Sequence, residues 1–247
     1  MDADRVVRIW AQVGQQSQGA PISMAHVCAA AVAAVGVDGA GVTVMVSPTV
    51  RETVHATDGI AARLEELQLM LGEGPCMDAF TDGGPALAAD LQAGEYAARW
   101  PAFTPAAMDS GVGAVFALPL QIGVIRLGAL DLYRSRPGPL TAHELADALT
   151  YAETAGMLLL DTAAGVQPDT AELAWQRGDA TVNQAVVHQA TGMILVQLGV
   201  TAEAAFARLR AYAYANDRSL AEVARDVVDR SLRFTPDPPS PDSQDMA

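Results

Sequence analysis

Residues 184–230 read QAVVHQATGMILVQLGVTAEAAFARLRAYAYANDRSLAEVARDVVDR, and this stretch predicts three short amphipathic helices with two tight breaks. The first helix should end at Gly199, which suits a left-handed C-cap, and the second should begin after Thr201, an N-cap candidate. The third opens with Ser219-Leu-Ala-Glu222, the pattern of a capping box. No helix of this length buries an apolar stripe alone, so the three should pack into one small unit.

Each of the three helices carries apolar residues at helical spacing, which predicts the side that faces the core. The predicted core positions are Val182, Val186, Ala190, Met193 and Val196 in the first helix, Ala202, Phe206, Leu209 and Ala213 in the second, and Leu220, Val223, Ala224, Val227 and Val228 in the third. We expect these side chains to be buried where the helices meet.

The order and spacing of short motifs in this stretch resemble the ANTAR domain, a family of RNA-binding antiterminator modules. The motifs are Ala-x-Gly-Met at 190–193, Leu-Gly-Val-Thr followed by Ala-Phe at 198–206, Leu-Arg at 209–210 and Leu-x-Glu-Val-Ala at 220–224. Many members have a lysine where this chain has Thr191, so a cation common in the motif is absent. The resemblance implies that the last quarter of the chain binds hairpin RNA.

The predicted RNA contacts of this module come from its cations and from the polar and aromatic side chains near them. They are His188, Thr191, Arg208, Arg210, Tyr212, Arg218 and Arg225. Arginine suits bidentate contact with phosphate, and Tyr212 or Tyr214 could stack on looped-out bases. The alternatives are that some arginines solvate the surface or pair with acidic residues, that His188 is an ordinary exposed residue, and that Tyr212 is core.

Residues 20–163 predict an α+β domain with a mostly antiparallel sheet, because a helix precedes strands in hairpins and a long helix closes the segment. Helices are expected at 21–35, 59–70, 101–109 and 141–161, and strands at 42–46, 52–57, 85–90, 112–120 and 123–133. The last hairpin should turn at Gln121-Ile122, and Thr141-Ala-His-Glu144 is a second capping box.

The segment Leu67-Gln-Leu-x-Leu-Gly-Glu-Gly-Pro-Cys-x-Asp-Ala-Phe80, followed by Pro85 and Asp90-Leu91, resembles the GAF domains joined to ANTAR domains in actinobacteria. The resemblance implies a sensory or dimerising domain with a pocket beside its sheet, and the fold does not name the ligand. Cys76 at the start of a short helix, with Glu73 and Asp78, is a candidate sensor of a small-molecule or redox signal.

The alternative for this motif is a glycine turn in which Cys76 is a small apolar filler. Glu73 should then raise the thiol pKa, and no Arg or His is close in sequence to lower it. Cys76 is therefore expected to be buried and slow to react in the native protein.

The net charge of −14 is unevenly distributed along the 247 residues. Residues 1–182 carry a net −12, residues 183–234 a net +1 and the remaining tail −3, and every basic residue is arginine. The predicted RNA module is thus the least acidic part of the chain, although typical nucleic-acid binders have a clear positive excess.

Several classes of protein are disfavoured by what the sequence lacks. It has no charge-free apolar run of about 18 residues, and MDADRVVRIW is unlike a secretory signal, so we expect neither a membrane span nor export. Cys28 and Cys76 are the only cysteines, which fits a reducing cytoplasm. The four histidines lack metal-site spacing and no nucleotide-binding loop or catalytic triad order appears, so no metal, cofactor or enzymatic activity is expected.

Together these patterns predict a lead-in at 1–19 that is mobile or partly helical, a GAF-like domain at 20–163, a linker at 164–178, an ANTAR domain at 179–234 and a disordered tail at 235–247. The expected function is signal-responsive, RNA-binding regulation of transcription antitermination by a homodimer, with the 141–161 helix pairing with its copy. One alternative is a dimerisation or protein-interaction module with weak or lost RNA binding. Another is a methionine sulfoxide reductase, which the wide separation of the two cysteines disfavours.

Overall fold

The computed structural model describes residues 3–47, 50–163 and 178–235, which form two compact units divided between Ala180 and Thr181. The predicted linker at 164–178 lies outside the described residues except for Gly178. The predicted tail at 235–247 lies outside them except for Thr235.

The described part of the N-terminal unit contains seven helices and five strands. The helices are α1 (Ala3–Ser17), α2 (Met24–Val35), α3 (Gly59–Leu71), α4 (Pro75–Asp82), α5 (Gly94–Arg99), α6 (Phe103–Asp109) and α7 (Ala142–Ala163). The strands are β1 (Gly39–Ser47), β2 (Val50–Ala56), β3 (Ala86–Ala88), β4 (Ala114–Ile122) and β5 (Ile125–Arg134). Only α5 has no counterpart among the segments that the sequence predicts.

The five strands form one sheet in the order β2-β1-β5-β4-β3, and all neighbouring pairs are antiparallel. This confirms the predicted α+β class. The β4–β5 hairpin turns at Gly123-Val124 rather than at Gln121-Ile122, so the predicted turn was wrong by two residues. The reason is local, since Gly123 adopts a φ of 60°, a left-handed conformation that β-branched Ile122 disfavours.

Helices α1, α2 and α7 pack on one face of the sheet and form the larger core. Its sheet residues alternate with period two along the strands, as a face buried on one side requires. They are Ala40, Val42, Ala114, Phe116, Leu118, Leu120, Leu130 and Leu132. Cys28 of α2 lies in this core.

Helix α1 is part of this core, although residues 1–19 were expected to be a mobile or partly helical lead-in. Ile9 and Val13, one helical turn apart, are fully buried. Arg5 and Arg8 both donate to the carboxylate of Asp147 on α7, at 2.7–3.0 Å. The polar residues around Ile9 and Val13 conceal this short stripe in the sequence.

Helix α7 turns its apolar face into its own domain. It begins with the predicted capping box, in which Thr141 N donates to Glu144 Oε2 at 2.6 Å and Glu144 N donates to Thr141 Oγ1 at 3.2 Å. The buried side chains on this face include Ala148, Tyr151, Ala152 and Ala155. The stripe that was expected to pair with a second copy is therefore occupied, whereas Met157 and Leu160 of the same helix are exposed.

The other face of the sheet carries a smaller and more polar interior. Met45, Cys76, Met77 and Ala129 form an apolar cluster between the sheet and α4. Thr43 and Asp131, whose Cα partners across the β1–β5 ladder are Ala129 and Gly41, are also buried.

The described part of the C-terminal unit consists of α8 (Gly178–Leu198), α9 (Ala202–Ala215) and α10 (Leu220–Val228), followed by an irregular segment. The three predicted boundaries are confirmed. Gly199 has a φ of 65°, Thr201 Oγ1 accepts a hydrogen bond from Ala204 N at 3.2 Å, and Ser219 and Glu222 form a reciprocal capping box.

The core of this unit matches the prediction for α10 except at Val228, which is half-buried, and departs from it in α8 and at the start of α9. The side chain of Val182 lies outside those that the structure describes. The buried side chains are Val187, Ala190, Ile194, Ala205, Phe206, Leu209, Ala213, Leu220, Val223, Ala224 and Val227. Val196 is 78% exposed and Ala202 is also exposed, so both predicted core positions were wrong. Because α8 is apolar on several sides, its sequence does not determine which side faces the core. The predicted stripe therefore lies one residue away from the buried residues Val187, Ala190 and Ile194.

Among the described residues, no single helix combines the length and apolarity needed to cross a membrane. Only Val186–Leu198 and Ala202–Ala215 taken together pass such a test, by length and composition, and they are bent by 107°.

Candidate RNA interface and buried polar cluster

The exposed face of α8 contains one of the predicted RNA contacts, His188. His188, Gly192 and Val196 follow one another at intervals of four residues and are all exposed. A Cβ added to Gly192 would meet no atom within 4 Å, so this face has room for a partner. Thr191 is half-buried, and its hydroxyl donates to Val187 O at 2.8 Å within the helix.

Helix α9 presents a cation and an aromatic ring to solvent. Arg208 is exposed, and Tyr214 is 58% exposed. Arg210 is half-buried, with its guanidinium carbon 5.7 Å from the centre of the Phe206 ring. Arg210 therefore contributes to packing within the unit in addition to its charge.

Tyr212, a predicted contact, is partly covered by the segment that follows α10. The ring of Phe234 lies edge-on to it with centroids 5.5 Å apart, and Phe234 N donates to Gln197 Oε1 at 2.9 Å. Between the two tyrosines of α9, Tyr214 is thus the more accessible stacking surface. The spacing of Tyr212 three residues after buried Leu209 is the sequence signal for this difference.

Arg218 and Arg225 lie at the start and on the polar side of α10. Arg218 Nη1 is 2.8 Å from Asp226 Oδ2, in an ion pair whose two side chains are both more than a third exposed. Such a pair is weak in water, so a phosphate could compete for the guanidinium. Arg225 is exposed.

In the N-terminal unit, Glu73 and Asp78 tie neighbouring segments together. The Glu73 carboxylate accepts from Ala102 N at 2.6 Å and from Phe103 N at 2.8 Å, and so caps the start of α6. Asp78 Oδ2 accepts from Arg99 Nε at 2.6 Å and from buried Trp100 Nε1 at 3.0 Å. These contacts give both predicted pocket residues a structural role.

Cys76 is 1% exposed, as its interpretation as a packing residue requires. Burial raises the pKa of its thiol well above the usual range, and the charges of Asp131 and Glu65 raise it further, while Arg51 opposes them. Glu73, which was expected to raise this pKa, directs its carboxylate at α6 instead.

The structure brings Cys76 together with two acids that sequence reasoning missed. The ligand-type atoms of Glu65, Cys76 and Asp131 all lie within 4.8 Å of one another. Thr43 Oγ1 donates to Glu65 Oε2 at 2.7 Å, and Gln68 Nε2 donates to Asp131 Oδ2 at 2.6 Å. We call Glu65, Cys76 and Asp131 the buried polar cluster.

Burial dominates the electrostatics of the buried polar cluster. It raises the pKa of Asp131 to about 6, although hydrogen bonds with Gln68, Glu65 and Cys76 and the charge of Arg51 lower it. Burial, and then the charge of Asp131, raises the pKa of Glu65 well above its usual range. The sequence signal was present, because Asp131 interrupts the apolar strand Gly-Ala-Leu-Asp-Leu-Tyr and Glu65 occupies a core-facing position of α3 beside Leu64.

Comparison with known proteins gives a family match for the C-terminal unit and a separate likeness in fold. Residues 179–228 match the sequence model of the ANTAR domain. One solved GAF domain shows a likeness in fold. This domain, of a phosphoenolpyruvate-protein phosphotransferase from Coxiella burnetii, is 17% identical with a TM-score of 0.50, and the match covers 68% of this chain and all of that one. A search of curated protein sequences found no significant match.

Two further GAF domains have lower TM-scores. One, from an Acinetobacter phosphoenolpyruvate-protein phosphotransferase, is 11% identical with a TM-score of 0.47, and the match covers 66% of this chain and 96% of that one. The other, GAF-B of DevS from Mycobacterium smegmatis, is 20% identical with a TM-score of 0.40, over 57% and 94% of the two chains. The chain thus combines a domain with the fold of the Coxiella burnetii GAF domain and a C-terminal segment, residues 179–228, that matches the ANTAR model.

Proposed function

We propose that this chain is a signal-responsive regulator that binds hairpin RNA and acts in transcription antitermination. The observation that carries the proposal is the ANTAR match over residues 179–228, in a unit that folds as three capped helices. The exposed faces of those helices hold His188, Arg208 and Arg225, and Tyr214 offers an accessible ring. Phosphate contact by arginine and stacking on an aromatic ring are the two main means of binding looped RNA.

The charge of the unit limits how it binds. Residues 183–234 have a net charge of only +1, so few phosphates are neutralised and one module alone should bind weakly. Two modules in a homodimer would bind two hairpins of one RNA, and the second contact would become intramolecular. The active form is therefore a homodimer bound to two hairpins of one RNA.

The N-terminal domain would mediate dimerisation of two chains and receive the signal. Because the main stripe of α7 is buried in its own domain, we expect Met157 and Leu160 on that helix to lie in the dimer contact. A homodimer at micromolar concentration should be seen by light scattering, and Leu160→Arg should shift it towards the monomer. A wild-type mass of one chain throughout that range would refute the dimer.

RNA binding is tested by fluorescence anisotropy with the full-length protein and a labelled RNA of two hairpins. We expect this RNA to bind at least about tenfold more tightly than either hairpin alone, because avidity requires both. A fully paired duplex of the same length and charge is the control for non-specific attraction. Equal affinity for the duplex and the paired hairpins would refute hairpin recognition.

One observation favours a second candidate, a dimerisation or protein-interaction module with little RNA affinity. The unit is nearly neutral, and Thr191 stands where many relatives have lysine, with its hydroxyl engaged by Val187 O. A dimer that binds none of the RNAs above, at low salt as well as at physiological salt, would support this candidate instead.

We further propose that the chain acts in the cytoplasm and has no sulfoxide reductase activity. Cys28 and Cys76 lie in different cores on opposite faces of the sheet, so they cannot form a disulfide with each other without unfolding. Turnover of free methionine sulfoxide by the reduced protein would contradict this assignment.

A further inference from the structure

The interior of the GAF-fold domain gathers three side chains of the kinds that bind metal ions. Helix α3 supplies Glu65, the start of α4 supplies Cys76 and strand β5 supplies Asp131, and their ligand atoms lie within 4.8 Å of one another. All three residues are buried, with exposed fractions of 4%, 1% and 3% respectively. The sequence-based expectation of no metal rested on histidine spacing and did not consider this set.

One oxygen of the cluster lacks a partner. Asp131 Oδ2 accepts from Gln68 Nε2, but Oδ1 is fully buried and has no hydrogen-bond partner. The ionisable groups beside it are the Glu65 carboxyl and the Cys76 thiol, which share hydrogen bonds with Asp131 when they carry a proton and could give up that proton to a cation. A buried acceptor without a donor is destabilising, and a cation would satisfy it.

Residues around the cluster orient its three ligand groups through hydrogen bonds. Thr43 Oγ1 holds Glu65 Oε2, while Gln68 holds both Asp131 Oδ2 and the backbone N–H of Cys76, the latter at 2.7 Å. Gly41 makes room for Glu65, since a Cβ there would lie 2.3 Å from Glu65 Oε1. Outer hydrogen bonds that orient the ligands are typical of protein metal sites.

The charges of the surroundings suit a divalent ion. Once metal binding removes their protons, two carboxylates and one thiolate carry three negative charges, and Arg51, whose charge acts on all three groups, compensates one. The guanidinium of Arg51 is itself held by Gln68 O and Met77 Sδ. A doubly charged cation would bring the buried assembly to neutrality, which a low-dielectric interior requires.

We propose that Glu65, Cys76 and Asp131 bind one divalent transition-metal ion of the zinc class. The thiolate selects such an ion over Mg²⁺ or Ca²⁺, which prefer oxygen. Zinc bonds of about 2.0–2.3 Å place tetrahedral ligand atoms roughly 3.5 Å apart, so side-chain movements of about 1 Å close the site. On binding, the thiol proton and any carboxyl proton pass to water, and no electron is transferred.

The test uses the full-length protein, stripped by a chelator and titrated with Co²⁺ as a spectroscopic substitute for zinc. We expect one thiolate-to-cobalt charge-transfer band that saturates at one Co²⁺ per chain and disappears on addition of Zn²⁺. Cys76→Ser should abolish the band. Cys28→Ser, which alters the buried cysteine of the other core, is the matched control and should retain it.

If Cys76→Ser fails to fold, Asp131→Asn provides a second test of metal binding. Asparagine retains the shape but loses the charge, so Co²⁺ affinity should fall by about tenfold or more. At the same Zn²⁺ concentration, the melting temperature should rise in the wild type and in Cys28→Ser, and by clearly less in Asp131→Asn.

Two results would overturn the metal site: a folded wild type that shows no thiolate band, or a band that persists in Cys76→Ser. Both readouts measure metal binding alone, so they stand or fall independently of RNA affinity.

Discussion

The two domains place their ionisable groups in opposite ways. The buried polar and charged residues that the structure describes, among them Arg51, Glu65, Asp131 and Asp147, all lie in the N-terminal domain. In the described part of the ANTAR unit the buried side chains are all apolar, and Arg208 and Arg225 are at the surface. The difference indicates that polar chemistry is internal in one domain and directed at a partner in the other.

Size explains part of this difference. A three-helix unit buries too little apolar surface to offset the desolvation of an internal charge. The larger domain has a sheet with two covered faces, so one face can hold an apolar core while the other accommodates Thr43, Glu65 and Asp131. Experiments that disturb a core or a surface should therefore have different consequences in the two domains.

The largest effect is expected from a cavity in the ANTAR core. Leu209 is fully buried, so Leu209→Ala should destabilise the unit by about 2–5 kcal/mol, which approaches the whole stability of so small a fold. Hydrogen exchange of the α9 amides should accelerate strongly and RNA affinity should be lost. Val7→Ala truncates a side chain that is 69% exposed on α1 of the other domain and should change neither.

The next effect concerns the reactivity of Cys76. Since its thiol is buried and its pKa is raised by burial, alkylation should require opening of the domain and be at least about a hundredfold slower than in denaturant. Mass spectrometry of timed labelling measures this ratio. Rapid labelling of the native protein, with altered RNA affinity after mild peroxide, would instead make Cys76 an accessible redox sensor.

The ion pairs of Asp147 should make the free energy of unfolding depend on pH in the acid range. Burial alone would raise the pKa of Asp147, but the hydrogen bond and charge of Arg8, with His143 and Arg5, outweigh it and lower this pKa. A depressed carboxyl pKa contributes stability above the ordinary value of about 4. That contribution is lost as the pH falls through the folded-state pKa.

Asp147→Asn should therefore cost about 1–3 kcal/mol at pH 7 and progressively less below about pH 4. Urea unfolding at several pH values gives this difference, and comparison with the wild type cancels the other acids. A cost that stays constant down to pH 2 would show that the loss is one of packing rather than charge.

Local sequence signals predicted much of the fold because they act within a few residues. Gly199, Thr201 and Ser219 mark helix ends through their own backbone and side-chain hydrogen bonds, and all three were identified correctly. The apolar runs of β4 and β5 likewise predicted the hairpin, although not its turn.

Features that depend on tertiary packing were missed. Glu65 and Asp131 are separated by 65 other residues, and only the packing of α3 on β5 brings them together. The stripe of α8 was misplaced because apolar residues on several sides left its rotation undetermined until Val187 and Ile194 met the other helices. The buried side of α1 was hidden by the polar residues around it.

The smallest effect is expected from restoring the missing cation of the ANTAR motif. Thr191 is half-buried on α8, and a lysine there could extend its amine to solvent beside exposed His188. Thr191→Lys should strengthen RNA binding by a few-fold at low salt. Thr191→Gln, of similar length and without charge, is the control, and an equal gain with glutamine would show that the cation is not the cause.

The most direct measurement compares the salt dependence of RNA affinity for Arg208→Ala and Arg63→Ala in the full-length protein. Each variant removes one positive charge from a helix, Arg208 from the exposed face of α9 and Arg63 from α3, where it pairs with Glu66 at 3.0 Å. We predict weaker binding and a salt slope lower by about one unit for Arg208→Ala, with no change for Arg63→Ala. Equal slopes in both variants would contradict the assignment of RNA binding to the surface of the ANTAR unit.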